Sequence, residues 1–352
     1  MSKNNIYIGW DIGGAHTKYT ISKSNSLKYD SKIITLKIWK SLDPLEKLIN
    51  NIHNKYSNKF NIINAISMSA EMCDIFKNRK DGIEKILSLF NKKLFKNYIY
   101  TLKDGIKVID NNLDHKHVAS MNWHVIARYL RSIRKNMIAI DLGSTTTDII
   151  LIKNNKCINK RIDDYSGLSN SELLYTGALR TPIFSIIKLI NLRGKIYHLI
   201  PEYYTTMSDV YRLAGIITPK DDYSKTADGR SKSKKASFAR ISRSLGFDYK
   251  AKDKNLIMSI CEKIISEHLN QISYTIKNHI NKNFKHTKSL EFVGMGIGKN
   301  IIKKICIKNM WLYRDIEDII DSSYINNSGN ISVTMPSFLL SLLVRRIHEK
   351  TK

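Results

Sequence analysis

Two short segments of this 352-residue chain combine a carboxylate, glycines and hydroxyls at matching spacing. The first is Gly9-Trp10-Asp11-Ile12-Gly13-Gly14-Ala15-His16-Thr17-Lys18; the second is Ala139-Ile140-Asp141-Leu142-Gly143-Ser144-Thr145-Thr146-Thr147-Asp148. Asp11 aligns with Asp141, Gly13 with Gly143 and Thr17 with Thr147. Each segment joins two apolar runs, which predicts strand, tight glycine turn, strand. Backbone N–H groups clustered at such a tip form a concavity for phosphate oxygens. An aspartate where the first strand ends is placed to hold Mg2+ directly or through water. Two such hairpins facing each other would grip a polyphosphate from both sides.

A third glycine cluster, Gly294-Met295-Gly296-Ile297-Gly298, follows an apolar strand at Leu290–Val293 and precedes a helix starting near Asn300. Such a turn lets backbone approach a ligand and aims a helix N-terminus at it. Its G-x-G-x-G spacing does not meet the dinucleotide fingerprint. Alongside two phosphate hairpins it reads as the third element of a nucleotide-like site. His115 and His117 resemble a metal pair, but no third ligand stands at suitable spacing, and they read as surface residues.

The elements that must position these groups fall into two lobes, 1–135 and 136–352. In the first lobe, strands are expected at Ile6–Asp11, Thr17–Ser22 and Lys32–Ile38. An amphipathic helix then runs from Pro44 to about Tyr56, capped by Asp43. An apolar strand, Ile62–Met68, ends in Ser69-Ala70-Glu71; a helix near Gly82–Asn91, a strand at Tyr98–Leu102 and a helix around Met121–Arg134 complete the lobe. In the second, Asp163–Pro182 and Glu202–Gly215 have the composition of substrate-shaping segments. Thr218–Ser237 lacks apolar periodicity and reads as an exposed loop, either a linker or a lid carrying Lys and Arg to an anion. Apolar residues from Leu256 to Ile280 recur at helical spacing, and Pro336–Ile347 predicts a short apolar helix docked on the core.

Composition bounds the function. Hydrophobic content of 42% and aromatic content of 9% indicate a folded globular protein long enough for two lobes. The net charge of +27 is mostly dispersed Lys rather than Arg clusters with aromatic neighbours, which argues against a nucleic-acid partner. No apolar run suits a membrane span and no N-terminal signal is visible. The four cysteines form no C-x-x-C pair, as expected of reduced thiols in a cytoplasmic protein. The oligomeric state is left open.

Taken together, the hairpins, the strand order, the long helix and the late glycine turn resemble the actin-like ATPase superfamily, which includes actin and the sugar kinases. The resemblance implies an α/β fold of two lobes with ribonuclease-H-like mixed sheets and a central cleft. A closer likeness rests on Ser69–Asp74, Ala119–Trp123, Asp141–Asp148, Glu172–Pro182, Glu202-Tyr203-Tyr204, Asp209–Leu213 and Thr226–Arg230. These segments are similar to the hydantoinase/oxoprolinase-like proteins of the tetrahydromethanopterin-linked one-carbon pathway, whose archaeal relatives are methanofuran-biosynthesis condensing enzymes. That likeness implies a carbon–oxygen bond-forming transferase. A furan-methyl diphosphate would alkylate the phenol of tyramine or γ-glutamyltyramine and release pyrophosphate.

The roles then follow. Asp11 and Asp141 are the expected Mg2+ ligands, with turn capping the alternative, and Asp141 is counted among the catalytic residues. Gly13, Gly14, Thr17, Gly143, Ser144, Thr145, Thr146, Gly294 and Gly296 are expected to cradle phosphate, and Lys18 to add a point charge. Glu71 is the expected base for the phenol, whose ordinary pKa near 10 needs help at neutral pH; its alternative is a helix-starting acid. Arg180, with a catalytic part, and Arg212 are candidates for bidentate contact with diphosphate or carboxylate. Arg230 and Tyr204 are further substrate contacts. ATP is not expected for this reaction. The competing readings are an ATP-dependent small-molecule kinase or ATPase, and a non-catalytic nucleotide-binding partner of the pathway.

Overall fold

In the computed structural model, residues 3–91, 95–109, 113–219, 221–284, 289–320 and 331–349 are described. The chain forms two compact units: Met1–Lys135 with Ile150–Asn170 and Ile316–Lys352, and Asn136–Ile149 with Ser171–Asp315.

Unit 1 is built on a six-stranded sheet. β1 (Asn4–Ile12), β2 (His16–Lys23) and β3 (Tyr29–Thr35) form an antiparallel meander. Helix α1 (Asp43–Ser57) returns the chain to β4 (Phe60–Met68), parallel to β1, and α2 (Arg79–Asn91) returns it to β5 (Lys96–Thr101), parallel to β4. β6 (Gly105–Val108) closes the edge and α3 (Asn122–Leu130) follows. The strand order is β3-β2-β1-β4-β5-β6. β1 is buried continuously from Ile6 to Ile12, because helices cover both faces of a central strand.

One of those covers is the C-terminal helix, Ile331–Glu349, which packs on β1 and β2. It lies so close that a Cβ at Gly9 would sit 2.0 Å from the Ser337 carbonyl oxygen. Hydroxyls bridge the approach: Thr20 to Ser337 at 2.9 Å and Ser22 to Ser341 at 3.0 Å. The helix therefore belongs with unit 1, whereas the sequence pattern placed it in a second lobe running to residue 352. Its apolar face gave no sign of which sheet it would meet, since the closest approach is set by Gly9, Ser337 and Ser341.

Several local expectations shift. Asp43 lies inside the first turn of α1, and the cap position is Leu42 with no side-chain cap bond. β3 begins three residues earlier than expected and ends at Thr35, because its register is set by pairing with β2.

Unit 2 starts with β7 (Asn136–Leu142), which turns into β8 (Thr147–Lys153), whose residues from Ile150 on fall to unit 1 together with the short β9 (Lys156–Cys157). Helix α4 (Asp164–Ser169) lies in the unit 1 stretch that follows. Back in unit 2 come β10 (Leu173–Leu174) and a hairpin of β11 (Leu189–Leu192) and β12 (Lys195–His198). Helices α5 (Met207–Leu213), α6 (Lys234–Arg243) and α7 (Lys254–Asn283) precede β13 (Glu291–Met295), α8 (Lys299–Lys308) and β14 (Leu312–Asp315). The second sheet runs β10-β8-β7-β13-β14, with β13 parallel to both neighbours. Among the described residues no helix is long and apolar enough to cross a membrane.

Candidate functional site

Both repeats form hairpins. In unit 1, Asp11 pairs with Lys18 and Ile12 with Thr17, and the Gly13 N–H donates to the His16 carbonyl at 3.1 Å. In unit 2, the Gly143 N–H donates to the Thr146 carbonyl at 2.9 Å. These bonds close the tips, so Gly13 and Gly143 direct their own N–H groups inward rather than to a ligand. None of Gly13, Gly14 or Gly143 lies in the left-handed region. Crowding accounts for the first two: a Cβ would meet the His16 carbonyl oxygen at 2.8 Å from Gly13 and the Cys73 sulfur at 2.8 Å from Gly14.

The first hairpin carries unfilled polar capacity. Asp11 is buried, and its Oδ2 accepts from Lys18 Nζ at 3.3 Å while its Oδ1 has no partner. Thr17 is fully buried with an unpartnered hydroxyl, so it sits within the hairpin base rather than at the tip. Among the described residues no group of three His, Cys, Asp or Glu side chains could hold a metal ion. Mg2+ usually takes one or two carboxylates and completes its shell with water and substrate phosphate. The spare Asp11 oxygen fits an ion held in that way.

The second hairpin is wrapped by the Glu172–Pro182 segment. Ala178 N–H donates to the Gly143 carbonyl at 2.9 Å, and Arg180 N–H to the Ser144 carbonyl at 2.8 Å. A Cβ at Gly177 would lie 2.5 Å from the Thr145 nitrogen, so only glycine permits this approach. The Arg180 guanidinium reaches Thr145 Oγ1 at 3.4 Å, and Ser144, Thr145 and Thr146 are each half-buried. Tyr203, half exposed, is held above its ordinary pKa by burial, opposed by the charge of Arg180. Tyr204 is half-buried and Arg230 exposed.

The late glycine turn packs on the base of this same hairpin. Gly296, at φ +80°, would place a Cβ 2.3 Å from Asp141 Oδ1, and the Gly298 N–H donates to the Leu142 carbonyl at 2.9 Å. A Cβ at Gly294 would lie 2.6 Å from the Tyr313 hydroxyl. Tyr313, Asp141 and Leu142 thus crowd Gly294, Gly296 and Gly298 in turn, and Gly296 backs the expected metal ligand Asp141.

Arg212 is a correction. It is 2% exposed and bonds Asp209 Oδ1 at 2.7 Å, with Asp222 as its second carboxylate. Asp209, wholly buried, also accepts from Arg240 at 2.6 and 2.9 Å and from Ser237 at 2.8 Å. The Arg212 guanidinium is thus engaged inside the fold and does not face a substrate. The same network corrects the Thr218–Ser237 loop. Asp222 and Asp228 tie it to Arg212, Lys232 and Arg240, and α6 has already begun by Lys234. The residues that anchor it are charged, so apolar periodicity missed them.

Glu71 follows the C-terminal end of β4 and is fully buried. Ser120 Oγ donates to its Oε1 at 2.9 Å, and its Oε2 has no partner. A bridge between Met68 and Ala119 brings Ser120 to this spot, and Ser120 adopts φ +52°, costly for a side chain other than glycine. Gly82 backs the Glu71 main chain: a Cβ there would lie 2.3 Å from the Glu71 carbonyl oxygen. Burial is the first cause that pushes the Glu71 carboxyl up to about 7; the Ser120 hydroxyl and Arg79 lower it and Asp164 raises it. Arg79 in turn bonds Asp163 at 3.1 Å, and Asp163 caps α4 in a capping box with Ser166. Ser120, Arg79 and Asp163 received no role from sequence, although Ser120 and Asp163 lie within segments singled out there.

Each of the two sheets combines parallel strands with an antiparallel hairpin, the mixed α/β arrangement of the actin-like ATPase fold. The chain aligns with a nucleotide-free structure of acetone carboxylase at TM-score 0.57 and 9% identity, over 96% of this chain and 70% of that one. The model of the hydantoinase/oxoprolinase family matches residues 63–317, and the chain belongs to that family. It is 28% identical over 351 residues, 98% of this chain and 99% of the relative, to the Methanocaldococcus jannaschii protein named (4-{4-[2-(gamma-L-glutamylamino)ethyl]phenoxymethyl}furan-2-yl)methanamine synthase. A Methanococcus vannielii protein of the same name is 30% identical over 224 residues, covering 61% of this chain and 93% of the relative.

Proposed function

We propose that this protein is a transferase of methanofuran-type cofactor synthesis, joining a furan-methyl diphosphate to the phenol oxygen of tyramine or γ-glutamyltyramine. The observation that carries the reading is the Glu71 carboxyl, buried at a strand end with one oxygen unpartnered and a pKa near neutrality. Near-full-length similarity to a protein named as the synthase of a phenoxymethyl-furan amine supports the substrate class. Glu71 Oε2 takes the phenolic proton, with Ser120 holding Oε1. The phenol oxygen bonds the furan methylene carbon as the methylene–oxygen bond to diphosphate breaks, and pyrophosphate leaves with that electron pair. Arg180 and the Ser144–Thr146 hydroxyls neutralise the charge gathering on the leaving group. Asp11 in unit 1 and Asp141 in unit 2 are the proposed Mg2+ ligands, and Mg2+ when bound would add charge stabilisation to a diphosphate. The lysine-rich surface favours anionic substrates at a distance. We place the reaction in the cytoplasm.

Incubation of the purified protein with Mg2+, furan-methyl diphosphate and tyramine tests the proposal. Pyrophosphate appearing in step with an ether product is expected. ATP hydrolysis without ether would instead support a retained kinase or ATPase activity, and ATP binding without either reaction would support a non-catalytic partner.

A further inference from the structure

The hydroxyl of Thr176 lies at the end of a buried hydrogen-bond chain that neither the hairpin motifs nor the substrate-contact residues account for. His268, on the long helix α7, is fully buried. Its Nδ1 lies 2.6 Å from the Tyr211 hydroxyl and its Nε2 lies 2.8 Å from Thr176 Oγ1. Burial holds the imidazole neutral, lowering its pKa to about 4, and pushes the Tyr211 phenol well above its ordinary range, so each keeps a single proton to donate. Thr176 itself is only half-buried. Its carbonyl accepts the Thr147 hydroxyl at 2.6 Å, and the next residue, Gly177, abuts Thr145 and Ser144. Thr176 is thereby fixed by backbone to the second hairpin while its side chain is fixed by a histidine on another element.

We propose that Thr176 is an anion-binding residue of the second hairpin, its hydroxyl proton aimed at a phosphate oxygen by the Tyr211–His268 pair. Tyr211 donates its proton to Nδ1, His268 donates from Nε2–H to Thr176 Oγ1, and the Thr176 O–H is left to donate to the ligand. Donors aligned in series strengthen the last one, and a direction fixed beforehand spares the cost of ordering it on binding. The reverse arrangement, in which Thr176 donates to Nε2, would make the chain an internal tie with nothing left to give a ligand. The inference rests on the reading that this hairpin binds phosphate, and it holds equally for a diphosphate substrate or for ATP.

The test uses the full chain and titrates inorganic pyrophosphate with Mg2+ by calorimetry, beside thermal unfolding. Thr176→Val keeps the shape and removes the donor; Thr176→Ser keeps the donor. The expected result is a pyrophosphate Kd raised about tenfold in Thr176→Val, the equivalent of about 1.4 kcal/mol, near wild-type affinity in Thr176→Ser, and a smaller loss in Tyr211→Phe. An affinity unchanged in Thr176→Val, with only its melting temperature lowered, would overturn the proposal in favour of an internal tie. A wild-type chain that binds neither Mg2+–pyrophosphate nor Mg2+–ATP would overturn it outright. A wild-type chain that binds pyrophosphate, loses affinity in Thr176→Val and yet makes no ether would leave Thr176 as assigned and remove the transferase reading instead.

Discussion

Replacing Glu71 with glutamine separates the base's chemical part from its part in stability, because the two depend on pH in opposite senses. The carboxyl is wholly buried and its pKa rises from 4.5 to about 7 on folding. A group whose folded pKa is raised binds more protons in the native state, so stability falls as pH rises through the interval between the two values. For an acid this means no differential below about 4.5, a growing penalty between 4.5 and about 7, and a constant penalty above. At 1.36 kcal/mol per unit, the full penalty is about 3 kcal/mol. Glutamine keeps an acceptor for the Ser120 hydroxyl. Its amide nitrogen replaces Oε2, which has no partner, and this adds an offset of about 1–3 kcal/mol that does not vary with pH. Urea unfolding of both proteins from pH 4 to 9 reads the slope independently of that offset. The wild type is expected to lose about 3 kcal/mol relative to Glu71→Gln between pH 4.5 and 7 and to run parallel to it above. Parallel curves throughout, or a wild type that gains relative stability with pH, would refute the argument that burial has raised this carboxyl. The same substitution is expected to lower ether formation by about 10²–10⁴-fold.

Three further expectations follow from the same geometry. Ether formation in the wild type should rise with pH through an apparent pKa of about 7, the value to which burial moves Glu71, and a rate flat from pH 6 to 8 would exclude it as the base. Gly177→Ala should force the Glu172–Pro182 segment off the second hairpin at Thr145 at a cost of about 1–3 kcal/mol in urea unfolding, and should weaken Mg2+–pyrophosphate binding in calorimetry. Asp209→Asn should cost about 3–5 kcal/mol in urea unfolding, since it takes a carboxylate from the buried guanidinium groups of Arg212 and Arg240.

The sequence showed what is local and missed what is tertiary. The two hairpins were legible because aspartate, glycine and threonine at fixed offsets constrain a few neighbouring residues, and both turns form where the spacing put them. The long helix was legible from its apolar repeat and extends three residues beyond it to Asn283. Arg212 resembled a ligand-binding cation because sequence shows a charge but not the two aspartates that surround it. The packing of the late glycine turn was not legible, because sequence shows the glycines but not the Asp141 and Leu142 atoms that crowd Gly296 and Gly298. The home of the C-terminal helix depended on Gly9, Ser337 and Ser341, small residues that carry no hydrophobic signal yet set the closest approach in unit 1.

The central claim, that the phenol oxygen of the amine substrate becomes the ether oxygen, is open to a single isotope measurement. Tyramine carrying oxygen-18 in its phenol is incubated with furan-methyl diphosphate, Mg2+ and the protein, and both products are examined by mass spectrometry. The account predicts oxygen-18 in the ether and unlabelled pyrophosphate. An ether lacking the label, label carried into pyrophosphate, or product formed only when ATP is added would contradict it.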